Sequence, residues 1–166
     1  MEWMFPNAIN CVFDGFLFQS GYMPTQDRAW LKRLKIEAIV NCASHDIPSK
    51  FADDGICYFD IQVDDCPEDS HLLQEKLEEA TEFIAQQKQK KVNCLVHCAA
   101  GISRSSTVTL AYLIKYEGMS LDDAYDTLTN ARRIAHPNEG FWAILQAWES
   151  QYHPEQAEKI KDSGRT

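Results

Sequence analysis

Apolar and polar positions alternate along the chain in short blocks of two kinds. Three apolar runs have the length and composition of buried strands: 36–43, 56–63 and 92–97. Elsewhere apolar residues recur every three or four positions, as on one face of a helix. The longest such stripe consists of Leu73, Leu77, Ala80 and Ile84. The pattern predicts strands that alternate with helices.

Turn and capping residues divide these blocks into elements. Asp14-Gly15 between the apolar triplets 11–13 and 16–18 predicts a β-hairpin. Capping signals predict five helices. They run from Thr25 to about residue 35, from Ser70 to about residue 89, from Ser105 to a stop at Gly118, from Ser120 with Asp123 to about residue 131, and from Asn138, with Phe141, Ile144, Leu145 and Trp148 on one face, to before Pro154.

The expected fold class is α/β, a central and mostly parallel β-sheet flanked by helices. We expect one domain over residues 1–154 and a polar C-terminal tail over 155–166. Asp65 and Cys98 each follow a predicted strand by one or two residues. Sites in such sheets lie beyond the carboxyl ends of the strands, so these two residues are predicted to meet at one rim.

The segment from His97 to Ser105 carries the strongest chemical signal. It joins a buried strand to a helix, and its small residues let the backbone curl so that successive N–H groups point inward. With the helix N-terminus, this loop forms a cradle for a tetrahedral dianion. We expect phosphate to be bound by the loop residues Ala99, Ala100, Gly101, Ile102, Ser103 and Arg104. The Arg104 guanidinium can bond two phosphate oxygens at once.

The same positive field favours the thiolate of Cys98, the form that attacks phosphorus. Ser105 is a candidate donor to that sulfur, and His97 is expected to orient the loop through its backbone. Asp65 is the candidate general acid for the leaving oxygen and the later base for water. Asp64 is an adjacent competitor that spacing alone does not exclude. Neither a metal ion nor a cofactor is expected, because the cradle and Arg104 already neutralise the transition-state charge.

These residues resemble the dual-specificity subclass of the cysteine-dependent protein tyrosine phosphatases. The loop fits the family's His-Cys-x5-Arg-Ser pattern, and the strand before Asp65 is similar to the strand that leads to the family's general acid. The stretch from Arg133 to Phe141 resembles the family's Arg-x-Ile-x-Pro-Asn-x-Gly-Phe pattern with one extra residue, Ala135 or His136. The resemblance implies that Asn138 braces the phosphate loop and that Asp65 is favoured over Asp64.

The resemblance also implies a protein tyrosine phosphatase-like fold and a shallow cleft for phosphotyrosine and phosphoserine/threonine. The chain resembles a small atypical member, essentially a bare catalytic domain. Phosphoprotein substrates are therefore the expected partners. Phosphoinositides are less favoured, because the loop lacks the lysine that such phosphatases usually carry there.

Composition narrows the remaining classes. The net charge of −9 disfavours sequence-independent nucleic-acid binding and RNA triphosphatase activity. The first six residues lack a basic and then apolar leader, no run is long enough to span a bilayer, and no lipidation signal is found, so no membrane anchor is expected. The six cysteines are then expected to be reduced thiols in a cytoplasmic or nuclear protein.

Two other functions remain open from the sequence. A phosphatase-like fold could bind phosphoproteins without turnover, and a sulfurtransferase also uses a cysteine loop beside a helix. Cys66 and Cys94 raise a separate redox hypothesis, in which one of them forms a disulfide with oxidised Cys98. The oligomeric state does not follow from the sequence.

Overall fold

The computed structural model describes residues 7–155, so the predictions for the first six residues and for nearly all of the tail lie outside the described residues. Five strands form one sheet: β1 (Asn10–Phe13), β2 (Leu17–Ser20), β3 (Ile36–Asn41), β4 (Cys57–Asp60) and β5 (Asn93–His97). Within residues 7–155 five α-helices accompany it: α1 (Arg28–Arg33), α2 (Ser70–Gln89), α3 (Arg104–Glu117), α4 (Leu121–Ala131) and α5 (Glu139–Tyr152).

The strand order is β1-β2-β5-β3-β4, with β1 antiparallel to β2 and the other pairs parallel. The predicted mostly parallel α/β sheet is therefore confirmed. The last strand in sequence, β5, lies between β2 and β3 at the centre of the sheet. Its carboxyl end, where Cys98 follows, is thus surrounded by neighbouring strands on both sides.

Apolar side chains pack on both faces of the sheet, as the period of two along a strand requires. Ile39 and Leu95 point to a smaller cluster that includes Leu31 of α1. Val40 and Val96 point to the larger cluster. That cluster also holds the predicted stripe of α2 and the apolar face of α5, all buried: Leu73, Leu77, Ala80, Ile84, Phe141, Ile144, Leu145 and Trp148.

Helix α3 is the centre of the larger layer. Every residue from Arg104 to Ile114 is buried, because α2, α4 and α5 all pack against this helix. The helix ends where Gly118 adopts φ 70°, and the N–H of Met119 donates back to the carbonyl of Leu113. The predicted stop at Gly118 is confirmed. Because α3 is buried, it gives the loop that precedes it a rigid base.

Several predicted boundaries are wrong for local reasons. The first helix begins at Arg28 rather than Thr25, because the carboxylate of Asp27 accepts from Ala29 N–H, while the Thr25 hydroxyl donates to Tyr22 within a 3-10 turn. Ser70 is the first residue of α2 and not its cap. The hairpin turn predicted at Asp14-Gly15 is present, since both residues have positive φ and Phe16 N–H donates to the Phe13 carbonyl, and a register shift in the strands then pairs Phe13 with Leu17.

The predicted strands 36–43 and 56–63 are also too long. They end at Asn41 and Asp60, because the chains beyond separate into an antiparallel bridge between Ala43 and Gln62. Asp65 consequently follows β4 by five residues and not by one or two. The caps predicted at Ser120 and Asn138 are confirmed, since each side-chain oxygen accepts a helical N–H, from Asp123 and Phe141 respectively.

Candidate active site

Cys98 lies directly after the central strand and is almost fully buried, with 2% of its surface exposed. Its sulfur is 3.2 Å from the Ser105 hydroxyl oxygen and accepts from the N–H of Gly101 at 3.3 Å. The structure therefore brings together the predicted nucleophile and its predicted hydroxyl partner. The thiol of neighbouring Cys42 stays protonated, because burial and then the charge of Cys98 raise its pKa well above the ordinary value.

The loop after Cys98 has its carbonyl groups held from outside by donors of other elements. The carbonyl of Ala99 accepts from Tyr22 N–H, and that of Ala100 accepts from Arg132 Nη2. The carbonyl of Gly101 accepts from Arg132 Nε and Gln19 Nε2. The carbonyl of Ile102 accepts from His136 N–H and Ser106 Oγ, and that of Ser103 accepts from the N–H and Oγ1 of Thr107. The C=O and N–H of one peptide group point in opposite directions, so a carbonyl that points out of the loop leaves the next residue's N–H pointing into it. In the described chain, no acceptor is found for the N–H groups of Ala100, Ile102, Ser103 and Arg104. The loop is thus a curl of backbone donors that have no acceptor within the described residues.

Gly101 allows this curl. It adopts φ 69°, and a Cβ added there would lie 2.6 Å from Arg132 Nη2, from Gly21 N and from Ser20 C. No other residue fits both the backbone conformation and the space. The tight approach holds the loop against the end of β2.

Arg104 is buried at the start of α3, with 8% of its surface exposed. Its Nη1 donates to the carbonyl of Val63 at 2.9 Å, which ties the loop to the segment that carries Asp65. Its Nε is buried and has no hydrogen-bond partner within residues 7–155. A buried cationic donor without an acceptor is costly, so this atom points to an anionic ligand.

His97 lies under the loop, with 1% of its surface exposed. Its Nδ1 is 3.4 Å from the carbonyl oxygen of Cys98. Burial lowers the pKa of His97 to about 4, so the ring is neutral near pH 7. This geometry fits an orienting residue and offers no proton shuttle.

Asp65 is joined to the loop through Asn138. Asn138 Nδ2 donates to Asp65 Oδ1 at 2.9 Å, and the Asn138 N–H donates to Ser103 Oγ at 2.8 Å. Asp64, the competitor, instead lies 2.9 Å from His45 Nε2. The structure therefore links Asp65, and not Asp64, to the phosphate loop. Asn138 contacts the loop through its backbone, while its side chain holds Asp65.

Arg132 is the residue that the sequence reasoning missed. The stretch that resembles the family pattern is predicted to begin at Arg133, but Arg133 is exposed, whereas Arg132 is 2% exposed and holds two loop carbonyls. Its Nη1 also bonds Ala8 O and Asn10 Oδ1, so the N-terminal strand shares the same side chain. The family pattern places its arginine two positions before the isoleucine, which is Arg132 before Ile134. That spacing was the available signal.

The cleft has a pocket on each side of the loop. One, of about 270 Å³, is lined by Tyr22, Gln26, Asp46, Ile47, Pro48 and Ala99. The other, of about 340 Å³, is lined by Tyr125, His136, Pro137, Glu139 and Trp142. Both pockets are open to solvent, and neither encloses the cradle.

One group of metal-ligating side chains occurs within the described ranges. His45, Asp46 and Asp64 are exposed, and their ligand atoms lie within 4.8 Å of one another. Ion pairs of His45 with both carboxylates, at 3.2 and 2.9 Å, account for this arrangement. The phosphate cradle itself presents backbone N–H groups and a guanidinium, which suit an anion and not a cation.

The structure excludes one of the two redox pairs. Cys94 and Cys98 are four residues apart along and just beyond β5, so their Cα atoms are about 13 Å apart. A disulfide requires Cα atoms within roughly 7 Å. Burial also raises the pKa of the Cys94 thiol. A bridge from the half-buried Cys66 stays a prediction.

A sequence model of the dual specificity phosphatase catalytic domain matches residues 17–151. Human dual specificity protein phosphatase 21 is 38% identical over 133 residues, which are 80% of this chain and 68% of that protein. Mouse dual specificity protein phosphatase 18 is 33% identical over 147 residues, 89% of this chain and 76% of that protein. The chain belongs to the dual specificity phosphatase family.

Solved structures agree with this assignment. The crystal structure of DUSP15 superposes with a TM-score of 0.78 at 31% identity, covering 96% of this chain and 97% of that one. Some relatives are much longer: the chain spans 34% of Drosophila Mpk3 and 17% of Arabidopsis MKP1. None of the helices within residues 7–155 is long and apolar enough to cross a membrane.

Proposed function

We propose that this protein hydrolyses phosphotyrosine and phosphoserine/threonine on other proteins through a cysteinyl-phosphate intermediate on Cys98. The outward anchoring of the loop carbonyls carries the proposal, because it leaves a ring of inward N–H donors around the Cys98 sulfur. Membership of the dual specificity phosphatase family supports the same activity. The unpaired Nε of Arg104 adds a cationic donor.

In the first step, the Cys98 thiolate attacks phosphorus and the bond to the leaving oxygen breaks. Asp65 gives its proton to that oxygen, while the loop N–H groups and Arg104 stabilise the charge on the three equatorial oxygens. The Val63 carbonyl, bonded to Arg104, keeps the acid segment beside the phosphate site. No step requires a metal ion or cofactor.

In the second step, water attacks phosphorus and the S–P bond breaks. The Asp65 carboxylate, now the base, takes the proton from water. Ser105, 3.2 Å from the sulfur, donates a hydrogen bond to the departing thiolate. Inorganic phosphate then leaves, and Cys98 is regenerated.

The shallow walls of the cleft support both kinds of phosphoresidue. Tyr22 is 45% exposed beside Ala99, and an aromatic ring can pack against it without a deep slot that would exclude shorter side chains. All six cysteines are free thiols, which supports the proposed cytoplasmic or nuclear location. Phosphoproteins are accordingly the proposed partners.

A catalytically silent binding module is the second candidate. The human tyrosine phosphatase-like serine/threonine/tyrosine-interacting protein has a TM-score of 0.79 at 26% identity, covering 88% of this chain and 98% of that one. A protein named as phosphatase-like and as an interacting protein therefore shares this fold, which is the observation in favour of a binding module. The contact of Cys98 with Ser105 and the link from Asp65 to the loop favour turnover. A sulfurtransferase has no use for Asp65.

The test is hydrolysis of p-nitrophenyl phosphate and of phosphopeptides in the presence of EDTA. We expect wild type to turn over and Cys98→Ser to be inactive while still binding phosphopeptide. Asp65→Ala should lose about 100-fold in kcat on phosphopeptides, whose leaving groups need the proton. Asp64→Ala is the matched control and should retain its rate.

A folded but inactive wild type that binds phosphopeptide would replace this proposal with the binding module. Turnover of thiosulfate without phosphatase activity would instead favour the sulfurtransferase. If Asp64→Ala lost more rate than Asp65→Ala, the assignment of the acid would be wrong.

A further inference from the structure

The pocket lined by Tyr125, His136, Pro137, Glu139 and Trp142 has no part in the chemistry derived above. We name it the aromatic pocket. It adjoins the phosphate loop, because the N–H of His136 donates to the carbonyl of Ile102 at 2.7 Å. His136, one of the residues that line the pocket, is therefore in direct contact with the phosphate loop.

The walls of the aromatic pocket are rings. Tyr125 and Trp142 meet edge to face, with centroids 5.2 Å apart and planes at 77°. The Tyr125 hydroxyl lies 3.3 Å from His136 Nδ1 and 3.4 Å from the carbonyl oxygen of Ala135, which fixes the ring. This pair forms a preordered apolar surface for a long side chain.

The pocket also carries a negative charge. Glu139 is exposed, and its carboxylate has no hydrogen bond or ion pair to any residue from 7 to 155. A second carboxylate, that of Asp65, is bonded to Asn138, the residue that precedes Glu139 in the chain. With a net charge of −9 on the whole chain, this region disfavours acidic peptides.

Aromatic faces beside a free carboxylate suit the side chains of lysine and arginine. Their alkyl stems pack on apolar surface, while the cation lies over a ring or pairs with the carboxylate. A purely apolar residue would use the rings but not Glu139, and an acidic residue would be repelled. Charge and shape together therefore select a cation.

We propose that the aromatic pocket binds a lysine or arginine of the substrate, two or three residues from the phosphorylated residue. The spacing is part of the proposal: His136 of the pocket bonds Ile102 of the loop, and two or three extended residues cover roughly 7–10 Å. The inference rests on the proposed phosphatase function and names the class of peptide that it takes.

The test uses phosphopeptides that differ only by arginine, norleucine or glutamate, scanned at each position up to three residues from the phosphotyrosine on both sides. At one position, wild type is expected to prefer arginine to norleucine by about tenfold in kcat/KM, chiefly through KM. Glutamate there should be the poorest. Hydrolysis of p-nitrophenyl phosphate gives the reference rate.

Glu139→Gln should reduce the preference for arginine over norleucine to less than twofold and leave p-nitrophenyl phosphate turnover unchanged. Glu82→Gln is the matched control, since it removes the same charge from an exposed position on α2. It should keep the full preference.

The inference is overturned if norleucine equals arginine at every position, or if Glu82→Gln lowers the preference as much as Glu139→Gln. If wild type did not hydrolyse p-nitrophenyl phosphate, the proposed phosphatase function would be refuted instead. Failure of the pocket proposal and failure of the proposed function are therefore distinguishable.

Discussion

The side-chain amide of Asn138 donates to the carboxylate of Asp65 across 2.9 Å, and the two residues are 73 positions apart in the sequence. The other end of the same amide accepts the N–H of Phe141 and caps α5. One side chain thus fixes both the start of a helix and the position of the proposed acid. Since the Asn138 N–H also bonds Ser103, the acid and the phosphate loop share one anchor.

This relationship predicts a selective loss in Asn138→Ser. Serine keeps an acceptor for the helix cap but has no amide to hold Asp65. We expect the stability to change by less than about 1 kcal/mol. The rate on aryl phosphates with poor leaving groups should fall roughly tenfold more than the rate on good ones, because only the former need the proton.

The measurement is the dependence of kcat on leaving-group basicity for wild type and variant, with thermal unfolding as the check on the cap. The same dependence in both proteins would show that Asn138 does not position the acid.

Arg132 predicts an effect on anion binding. Arg132→Lys keeps the positive charge but loses the fork that holds the carbonyls of Ala100 and Gly101. We expect the dissociation constant of inorganic phosphate or tungstate to rise about tenfold, because carbonyls that lose Arg132 allow the loop N–H groups to turn away from the anion. Isothermal titration with tungstate measures this directly.

The exposed Arg133→Lys is the natural control and should bind tungstate as wild type does. Equal affinity in the two variants would contradict the role of Arg132 in shaping the cradle.

Two glycines with nearly the same φ allow a matched comparison. Gly101 has φ 69° and no room for a Cβ, whereas Gly118 has φ 70° and nothing within 4 Å of one. Gly118→Ala should destabilise by about 1 kcal/mol, the cost of the backbone conformation. Gly101→Ala adds clashes with Gly21 and Ser20 and should cost clearly more.

Urea unfolding of both variants separates the cost of the backbone conformation from the cost of the clashes. A similar loss in each would mean that the loop relaxes around the added methyl group.

Burial of His97 makes the protein sensitive to acid. Its pKa is lowered from 6.5 to about 4, so between these pH values His97 is protonated in the unfolded chain and neutral in the native protein. The contribution of the neutral ring to stability is therefore present at neutral pH and is lost as the pH falls from about 6.5 towards 4. Between pH 7 and pH 5 the expected loss is about 2 kcal/mol.

Unfolding free energies at pH 7 and pH 5 test this in His97→Asn, which should lose less stability on acidification than wild type. The exposed His71→Asn serves as the reference and should behave as wild type. Identical acid sensitivity in His97→Asn would refute the assignment.

Much of the site could be predicted from the sequence alone, because the residue patterns that indicate it are local. The pattern around Cys98, the apolar strand before it and the stop at Gly118 depend on residues within a few positions of one another. The caps at Ser120 and Asn138 follow the same logic, since a cap oxygen reaches an N–H three residues on. Such features depend on neighbouring residues in the sequence and not on how the elements pack.

The relationships between distant residues depended on packing. Arg132 reaches Gly101 from 31 positions away only because α4 packs against α3 and β1. Resemblance favours Asp65 over Asp64, and the tertiary structure distinguishes them, because Asp65 bonds Asn138 and Asp64 bonds His45.

Local residue patterns therefore specified which groups bear the chemistry, and tertiary structure decided which of them meet. The physical reason is range. Backbone propensities and caps act over one helical turn, while the order of strands and the burial of Arg132 depend on how whole elements exclude water together.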